Sequence, residues 1–168
     1  HSMASHVAYP EFTCLPGPYE MPVTFPRFQD NYCVGNEKVY GFLEDILNEI
    51  MALFPADTIH VGGDEAEHGS WKKCSKCAAK IKEEELYNEK GEPDYHRLQV
   101  YMMNRMNRFL KSKGKRMLGW NEIFSDELDK SSMIQFWKGS PEMAKEVAKA
   151  GHEMIMSYHI YTYLDYGH

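Results

Sequence analysis

The sequence lacks the long apolar and basic runs that characterise two large classes of protein. Its apolar stretches are only a few residues long, too short to span a membrane. No run of lysine or arginine exceeds two residues, and the formal net charge is −6. A nucleic-acid partner would require a basic surface for its phosphates. We therefore expect a globular chain with no membrane span and no nucleic-acid partner.

Cysteine is also scarce, with four residues in 168. Cys74 and Cys77 stand three apart and could form half of a zinc site, pair with each other or remain free. No second pair of cysteines or histidines has a suitable spacing, so no metal site and no cofactor are predicted. Cys14 and Cys33 lie in one long loop and could bridge it, which would suit a secreted or periplasmic enzyme.

The sequence does contain an alternation of helical and strand patterns. Helices are predicted to begin after the caps Asn36, Asp94 and Ser140, with a further polar helix at about 71–86. Strands are predicted at 58–62, 115–119, 133–137 and 152–157. Strands that alternate with helices indicate βαβ units and a parallel sheet. Residues from about 10 to 35 are predicted to form one long loop, a kind of segment that is usually functional.

Acidic and aromatic side chains follow the predicted strands. The first strand ends at Asp64-Glu65, the second at Trp120-Asn121-Glu122, the third at Trp137 and the fourth at Tyr158. In a parallel barrel these ends converge on one pocket. Flat aromatic faces and carboxylates together suit a carbohydrate, because the rings can lie against a sugar while the acids serve its hydroxyls.

Two other interpretations of the acid pair remain open at this point. Asp64 could cap a helix, with Glu65 favourably placed near the positive end of its dipole. His60, Asp64, Glu65 and His68 could also surround a metal ion, although no matched ligand geometry supports this.

The residues at the strand ends carry a resemblance to a known family. The run His60-Val61-Gly62-Gly63-Asp64-Glu65 resembles the His-x-Gly-Gly-Asp-Glu signature of the β-N-acetylhexosaminidases, glycoside hydrolase family 20. Other segments resemble that family in the same order: His1-Ser2 with Tyr9-Pro10-Glu11, Gly119-Trp120-Asn121-Glu122, Gln135-Phe136-Trp137 and Tyr163-Leu164-Asp165. The resemblance covers essentially the whole chain.

The resemblance implies a fold and an activity. The fold is α/β, a portion of a (β/α)8 TIM barrel from about the loop after strand 3 to the loop after strand 7. Residues 1–168 would then be a partial catalytic domain, with strands 1, 2 and 8 supplied by the rest of a parent chain. The implied activity is removal of terminal β-linked N-acetylglucosamine or N-acetylgalactosamine from glycans or glycoconjugates. A secreted, periplasmic or lysosomal-type compartment is expected.

The resemblance also implies residue roles. Glu65 would be the general acid and later the base, while Asp64 and Tyr163 would hold the 2-acetamido group whose carbonyl oxygen attacks the anomeric carbon. Contacts to the sugar are implied for His1, Trp120, Trp137 and Asp165. His60 would support these side chains without touching substrate. Apart from the resemblance, the position of Glu122 at a strand end would allow a catalytic role, but we predict a solvated or hydrogen-bonded supporting role for it.

The spacing of the acids agrees with that chemistry. A two-carboxylate retaining glycosidase needs its nucleophile and acid about 5 Å apart, on opposite sides of the anomeric centre. Neighbours on one strand point in different directions and cannot easily flank a bond in that way. Family 20 is a known substrate-assisted exception to the two-carboxylate scheme. The alternatives are a two-carboxylate glycosidase with Glu65 as acid and Asp165 as nucleophile, or an inert carbohydrate-binding fragment.

Overall fold

The computed structural model describes residues 3–20 and 31–165. Its centre is a parallel sheet of four strands: β1 (Thr58–His60), β2 (Arg116–Trp120), β3 (Met133–Phe136) and β4 (Met154–Met156). The strands lie in the order β1-β2-β3-β4, and every neighbouring pair is parallel. The order of strands in the sheet is therefore their order in the chain, as in an arc of a barrel.

Helices precede the first strand, connect β1 to β2 and β3 to β4, and follow the last strand. They are α1 (Met3–Ala8), α2 (Glu37–Leu53), α3 (Ser75–Glu83), α4 (Tyr95–Ser112), α5 (Pro141–Lys149) and α6 (His159–Thr162). Three 3-10 turns lie at Pro10–Phe12, Trp71–Lys73 and Asn121–Ile123. Within the described ranges, no helix is both long and apolar enough to cross a membrane.

The predicted caps are confirmed by side-chain hydrogen bonds. Asn36 Oδ1 accepts from the backbone N–H of Lys38 at 3.2 Å. Asp94 Oδ1 accepts from two backbone N–H groups of the first turn of α4, at 2.9 and 3.0 Å. Ser140 Oγ accepts from the N–H of Met143 at 3.3 Å. Each cap satisfies a donor that the helix itself leaves unpaired, which is why these positions mark helix starts in the sequence.

Two predicted elements differ from the structure. The helix predicted at 71–86 is divided, because Cys74 has an extended backbone (φ −97°, ψ 118°) between the 3-10 turn and α3. The segment predicted as one loop contains the 3-10 turn at Pro10–Phe12 and an antiparallel bridge between Thr13 and Tyr32. The helices α1 and α6 were not predicted from the sequence, because they are too short to show a hydrophobic period.

The part of the core nearest the strand ends lies between α4 and the sheet. Three methionines of α4 are buried, with Met102, Met103 and Met106 between 3 and 8% exposed. Met117 and Ile134 on the sheet are fully buried. Burial of one such side chain contributes roughly 1.5–3 kcal/mol, so this layer holds β2 and β3 firmly beneath the site.

Candidate active site

The acid pair lies in a tight turn directly after β1. Three backbone φ angles in this turn are positive: 79° at Gly62, 95° at Gly63 and 46° at Glu65. A Cβ atom on Gly63 would lie 2.3 Å from Cγ2 of Ile123, so a side chain there would have to displace its neighbour. A positive φ is uncommon for a residue other than glycine, and such strain concentrates at functional sites. The helix-cap interpretation of Asp64 is wrong, because residues 64 and 65 form a turn.

Hydrogen bonds from three directions hold this turn. The buried Gln99 of α4 donates from Nε2 to the carbonyl oxygen of Gly63 at 2.7 Å. The N–H of Trp120 donates to the Gly62 carbonyl at 2.9 Å. The N–H of Gly62 donates to Nδ1 of His60 at 3.0 Å. The strained backbone is therefore fixed by the sheet, by α4 and by the predicted supporting histidine.

Lys138 links the acid loop to the neighbouring strand ends. Its Nζ lies 3.1 Å from Oε1 of Glu65 and 3.7 Å from Oε1 of Glu122. The same ammonium lies 4.6 Å from the centre of the Trp137 indole. Sequence reasoning did not identify Lys138, because a single lysine after a strand carries no local signal. The Glu65 side chain is 45% exposed, so it remains accessible to a ligand from solvent.

Three predicted aromatic side chains form one wall beside the acids. The rings of Trp120 and Trp137 lie edge to face with centroids 6.0 Å apart. Tyr163 stacks on Trp137 with centroids 6.0 Å apart and an interplanar angle of 12°. His159 completes the wall, 5.8 Å from Trp137. Residues from the ends of β2, β3 and β4 therefore meet here, in an arrangement that can accept the flat face of a sugar.

Glu122 and Asn121 fix the orientation of Trp137. The indole Nε1–H donates to the carboxylate of Glu122, with distances of 3.1 and 3.0 Å to its two oxygens. The buried Asn121 accepts from the N–H of Trp137 at 3.0 Å and donates to the carbonyl of Lys138 at 3.0 Å. The supporting role of Glu122 stays a prediction. Asn121 was missed because an amide within a strand-end motif has no distinguishing pattern.

His60 lies against the edge of the wall. Its ring centroid is 4.9 Å from that of Trp120. Desolvation by the surrounding protein lowers the pKa of His60 below its ordinary value, although the Asp64 carboxylate and a hydrogen bond with Gln135 act in the opposite direction. A neutral His60 retains a ring nitrogen that accepts the Gly62 N–H, which keeps the turn in place.

The other candidate residues named from the sequence are His1, Asp165 and His68. His1 is outside the described residues. Asp165 is exposed near the end of the described range. His68 stacks on Trp71, with ring centroids 5.0 Å apart, instead of joining the acid pair. The metal arrangement of His60, Asp64, Glu65 and His68 is therefore not formed; among the described residues, the candidate metal ligands that converge are four cysteines.

Comparison with known proteins agrees with the resemblance. The glycosyl hydrolase family 20 catalytic domain matches residues 1–168. A beta-hexosaminidase of Porphyromonas gingivalis is 33% identical over 157 residues, which are 94% of this chain and 19% of that protein. The chain therefore spans only about a fifth of this curated relative.

Solved structures give the same result for the fold. The beta-N-acetylhexosaminidase of Bacteroides fragilis superposes with a TM-score of 0.83 at 30% identity, over 99% of this chain and 32% of its own. The chitobiase of Flavobacterium johnsoniae superposes with a TM-score of 0.87 at 28% identity, over 99% of this chain and 25% of its own. The chain belongs to glycosyl hydrolase family 20 and forms part of its catalytic domain. The expected α/β fold, a portion of a TIM barrel, is confirmed.

Proposed function

We propose that the protein containing this chain is a retaining exo-glycosidase that removes terminal, non-reducing β-linked N-acetylhexosamine from glycans or glycoconjugates. The observation that carries the proposal is the adjacent Asp64-Glu65 pair, held in a strained turn that is tied through Lys138 to an aromatic wall. Membership of family 20, and the names of its hexosaminidase relatives, support the same class of substrate.

In this proposal the two acids serve different groups of one substrate. Glu65 is exposed and protonates the leaving oxygen, then activates water. Asp64, half-buried one residue earlier, orients the 2-acetamido group together with Tyr163. The acetamido oxygen attacks the anomeric carbon, the bond to the leaving oxygen breaks, and the oxazolinium intermediate is then opened by water. No metal or cofactor takes part in this chemistry.

The aromatic wall supports the sugar-binding part of the proposal. Trp120 and Trp137 would enclose the acetamido methyl group, because two indoles at an angle of 64° form a corner lined with carbon. Glu122 holds the Trp137 side of that corner through the indole N–H. The contacts predicted for Asp165 and His1 with sugar hydroxyls remain part of the proposal.

We also propose that further strands of the same barrel cover the end of this sheet. Ile155 and Met156 of β4 are 41% and 56% exposed, although both are large and apolar. Apolar side chains on a terminal strand call for a covering layer. Residues 1–168 would then be a partial catalytic domain completed by strands 1, 2 and 8 of a parent chain, consistent with the small share of the relatives that this chain spans.

The secreted, periplasmic or lysosomal-type compartment also remains a proposal. It now depends on the class of substrate, because the four cysteines are free and no disulfide joins Cys14 to Cys33. Fractionation of the source cells, followed by immunodetection of the protein, tests it directly. Recovery with the cytoplasmic fraction alone would contradict it.

The test of function uses two nitrophenyl glycosides, the β-N-acetylglucosaminide and the plain β-glucoside, and measures the nitrophenol that the parent protein releases from each. Turnover of the acetamido substrate alone is expected, with inhibition by a thiazoline mimic of the cyclised intermediate. Equal turnover of both substrates without such inhibition would favour the two-carboxylate alternative. Sugar binding without turnover of either substrate would favour a carbohydrate-binding protein.

The Asp64→Asn variant separates the two enzymatic schemes. It should reduce turnover of the acetamido substrate most, because the lost carboxylate acts on a group that a glucoside does not have. A matched control is Glu49→Gln, which removes an exposed carboxylate on α2, outside the proposed site. Equal losses on both substrates in Asp64→Asn would overturn the role assigned to Asp64.

A further inference from the structure

Four cysteines from distant parts of the chain meet in one place. Cys14 follows the first 3-10 turn, Cys33 precedes α2, and Cys74 and Cys77 lie at the start of α3. Their sulfur atoms all lie within 4.8 Å of one another. Cys33 and Cys77 are fully buried and Cys74 is 5% exposed. We refer to these four residues as the cysteine cluster.

The distances within the cluster match a tetrahedral metal site. Zinc binds thiolate sulfur at about 2.3 Å, which places the corners of a regular tetrahedron about 3.8 Å apart. The sulfur of Cys77 lies 3.7 Å from that of Cys14 and 3.9 Å from that of Cys33, and Cys33 lies 3.6 Å from Cys74. All four thiols are free, and these separations are far longer than the disulfide bond of about 2.05 Å.

The surrounding backbone is built to approach these sulfurs closely. The backbone N–H of Gly35 acts to lower the pKa of both Cys33 and Cys77, because it favours their thiolate forms. A Cβ atom on Gly35 would lie 2.1 Å from the carbonyl oxygen of Lys76, so only glycine fits between the two segments. Amide N–H groups that donate to thiolates are the usual outer support of cysteine metal sites. Cys74 and Cys77 also lie at the positive end of the α3 dipole, which favours thiolates.

We propose that the cysteine cluster binds one zinc ion through Cys14, Cys33, Cys74 and Cys77. Four thiolates complete a tetrahedral coordination shell and leave no open position, so the ion is structural. Binding displaces the thiol protons to solvent, and the divalent ion offsets the repulsion among four buried negative sulfurs. The sequence argument found only the Cys74–Cys77 half, because the other two ligands are separated from each other by residues 15–32.

The zinc ion would fasten two loops at the edge of the proposed active site. The first is the part of the chain before α2, which supplies Cys14 and Cys33, and the second runs from Glu65 through Trp71 to Cys74. The indole Nε1–H of Trp71 donates to the carbonyl of Tyr32 at 3.0 Å, so a hydrogen bond already joins the two segments that the zinc ion would link. The inference does not depend on the proposed glycosidase activity, and its test does not use that activity.

The test measures metal content of the parent protein, purified without chelators in the presence of a reductant. We expect one zinc equivalent that is lost in Cys74→Ser and in Cys77→Ser but retained in Ser75→Ala, an exposed position between them. A mercurial thiol reagent should release the same equivalent. Cobalt substitution should give the charge-transfer and ligand-field bands of a tetrahedral thiolate site.

Several results would overturn the proposal. They are reduced wild-type protein without zinc, zinc that persists in both cysteine variants, iron in place of zinc, or disulfides among the four cysteines in peptide mass maps. If the cysteine variants fail to fold, the zinc content and cobalt spectrum of the wild-type protein still test whether the cysteine cluster binds zinc, because neither measurement needs a substitution.

Discussion

The acid-bearing end of the sheet and the cysteine cluster are joined by residues 66–73, yet they differ in their physical character. At the sheet end, Glu65 is 45% exposed and is held through an ammonium, a carboxylate and aromatic rings from neighbouring strands. In the cluster, Cys33 and Cys77 have no exposure, and backbone segments approach to contact distance. The first region is arranged to meet a ligand and the second to hold loops in place. Substitutions should therefore affect turnover in one region and stability in the other.

The largest expected effect on this comparison comes from Glu65→Gln. Loss of a general acid should slow turnover of the acetamido substrate by about 10²–10⁴-fold. The free energy of unfolding should change by less than about 1 kcal/mol, because an exposed ion pair with Lys138 contributes little. Steady-state kinetics and urea unfolding of the parent protein measure the two quantities. Near-normal hydrolysis of a substrate with a poor leaving group would refute the role of Glu65.

Two glycine substitutions compare the stability of the regions directly. Gly35→Ala places a Cβ atom 2.1 Å from a backbone oxygen that cannot move alone, so we expect a loss of more than about 3 kcal/mol. Gly63→Ala meets the tip of the Ile123 side chain at 2.3 Å and has a φ of 95°, so a loss of about 1–3 kcal/mol is expected.

Gly41→Ala is the control for both substitutions. Gly41 lies on α2 with no atom within 4 Å of the added Cβ, so alanine there should stabilise by about 0.5–1 kcal/mol. Urea unfolding of the three variants gives the ranking. A larger loss at Gly63 than at Gly35 would reverse the comparison between the two regions.

A pair of tryptophan substitutions sharpens the comparison with a smaller effect. Trp137→Phe removes the indole N–H that donates to the carboxylate of Glu122, which is partly exposed and can be solvated instead, so the ring at position 137 loses the contact that fixes its orientation in the proposed site. We expect turnover to fall about tenfold with little change in stability. Trp71→Phe removes the N–H bonded to the Tyr32 carbonyl and should reduce stability instead. If both variants lose the same property, the division of roles between the regions is wrong.

The smallest expected effect concerns acid sensitivity at His68, which stacks on Trp71 between the two regions. Burial lowers the pKa of His68 below its ordinary value of 6.5. The unfolded chain therefore binds a proton at a higher pH than the folded chain, and the free energy of unfolding falls as the pH decreases through that window. His68→Gln should flatten this dependence as the pH decreases below about 6.5, the ordinary pKa of histidine. Parallel pH profiles of the unfolding midpoint for the two proteins would contradict the expectation.

The parts of the fold that sequence reasoning predicted depend on local chemistry. The side chains of the caps Asn36, Asp94 and Ser140 bind backbone N–H groups no more than three residues away, so the local sequence is enough to predict where these helices begin. Strand positions follow from short β-branched and apolar runs. The acid pair and the two indoles were found because a strand end followed by glycine, acid or tryptophan is also a local pattern.

The missed features depend on pairs that are remote in the chain. Lys138 meets Glu65 across 73 residues, and Cys14 meets Cys77 across 63. Ile123 fills the space beside Gly63, which lies 60 residues earlier, where a Cβ atom would be 2.3 Å from it. Neither partner in such a pair carries a pattern of its own, so the packed structure is needed to see them.

The agreement between strand order and chain order also has a consequence for folding. Each strand pairs with the strands next to it in the chain, but the connections differ in length: residues 61–115 join β1 to β2, 121–132 join β2 to β3, and 137–153 join β3 to β4. Closing the longest of these costs about 1 kcal/mol more chain entropy than closing the shortest. Pulsed hydrogen exchange should therefore protect β3 amides before those of β1. The aromatic wall would be assembled first, and the acid pair would join a sheet that is already built.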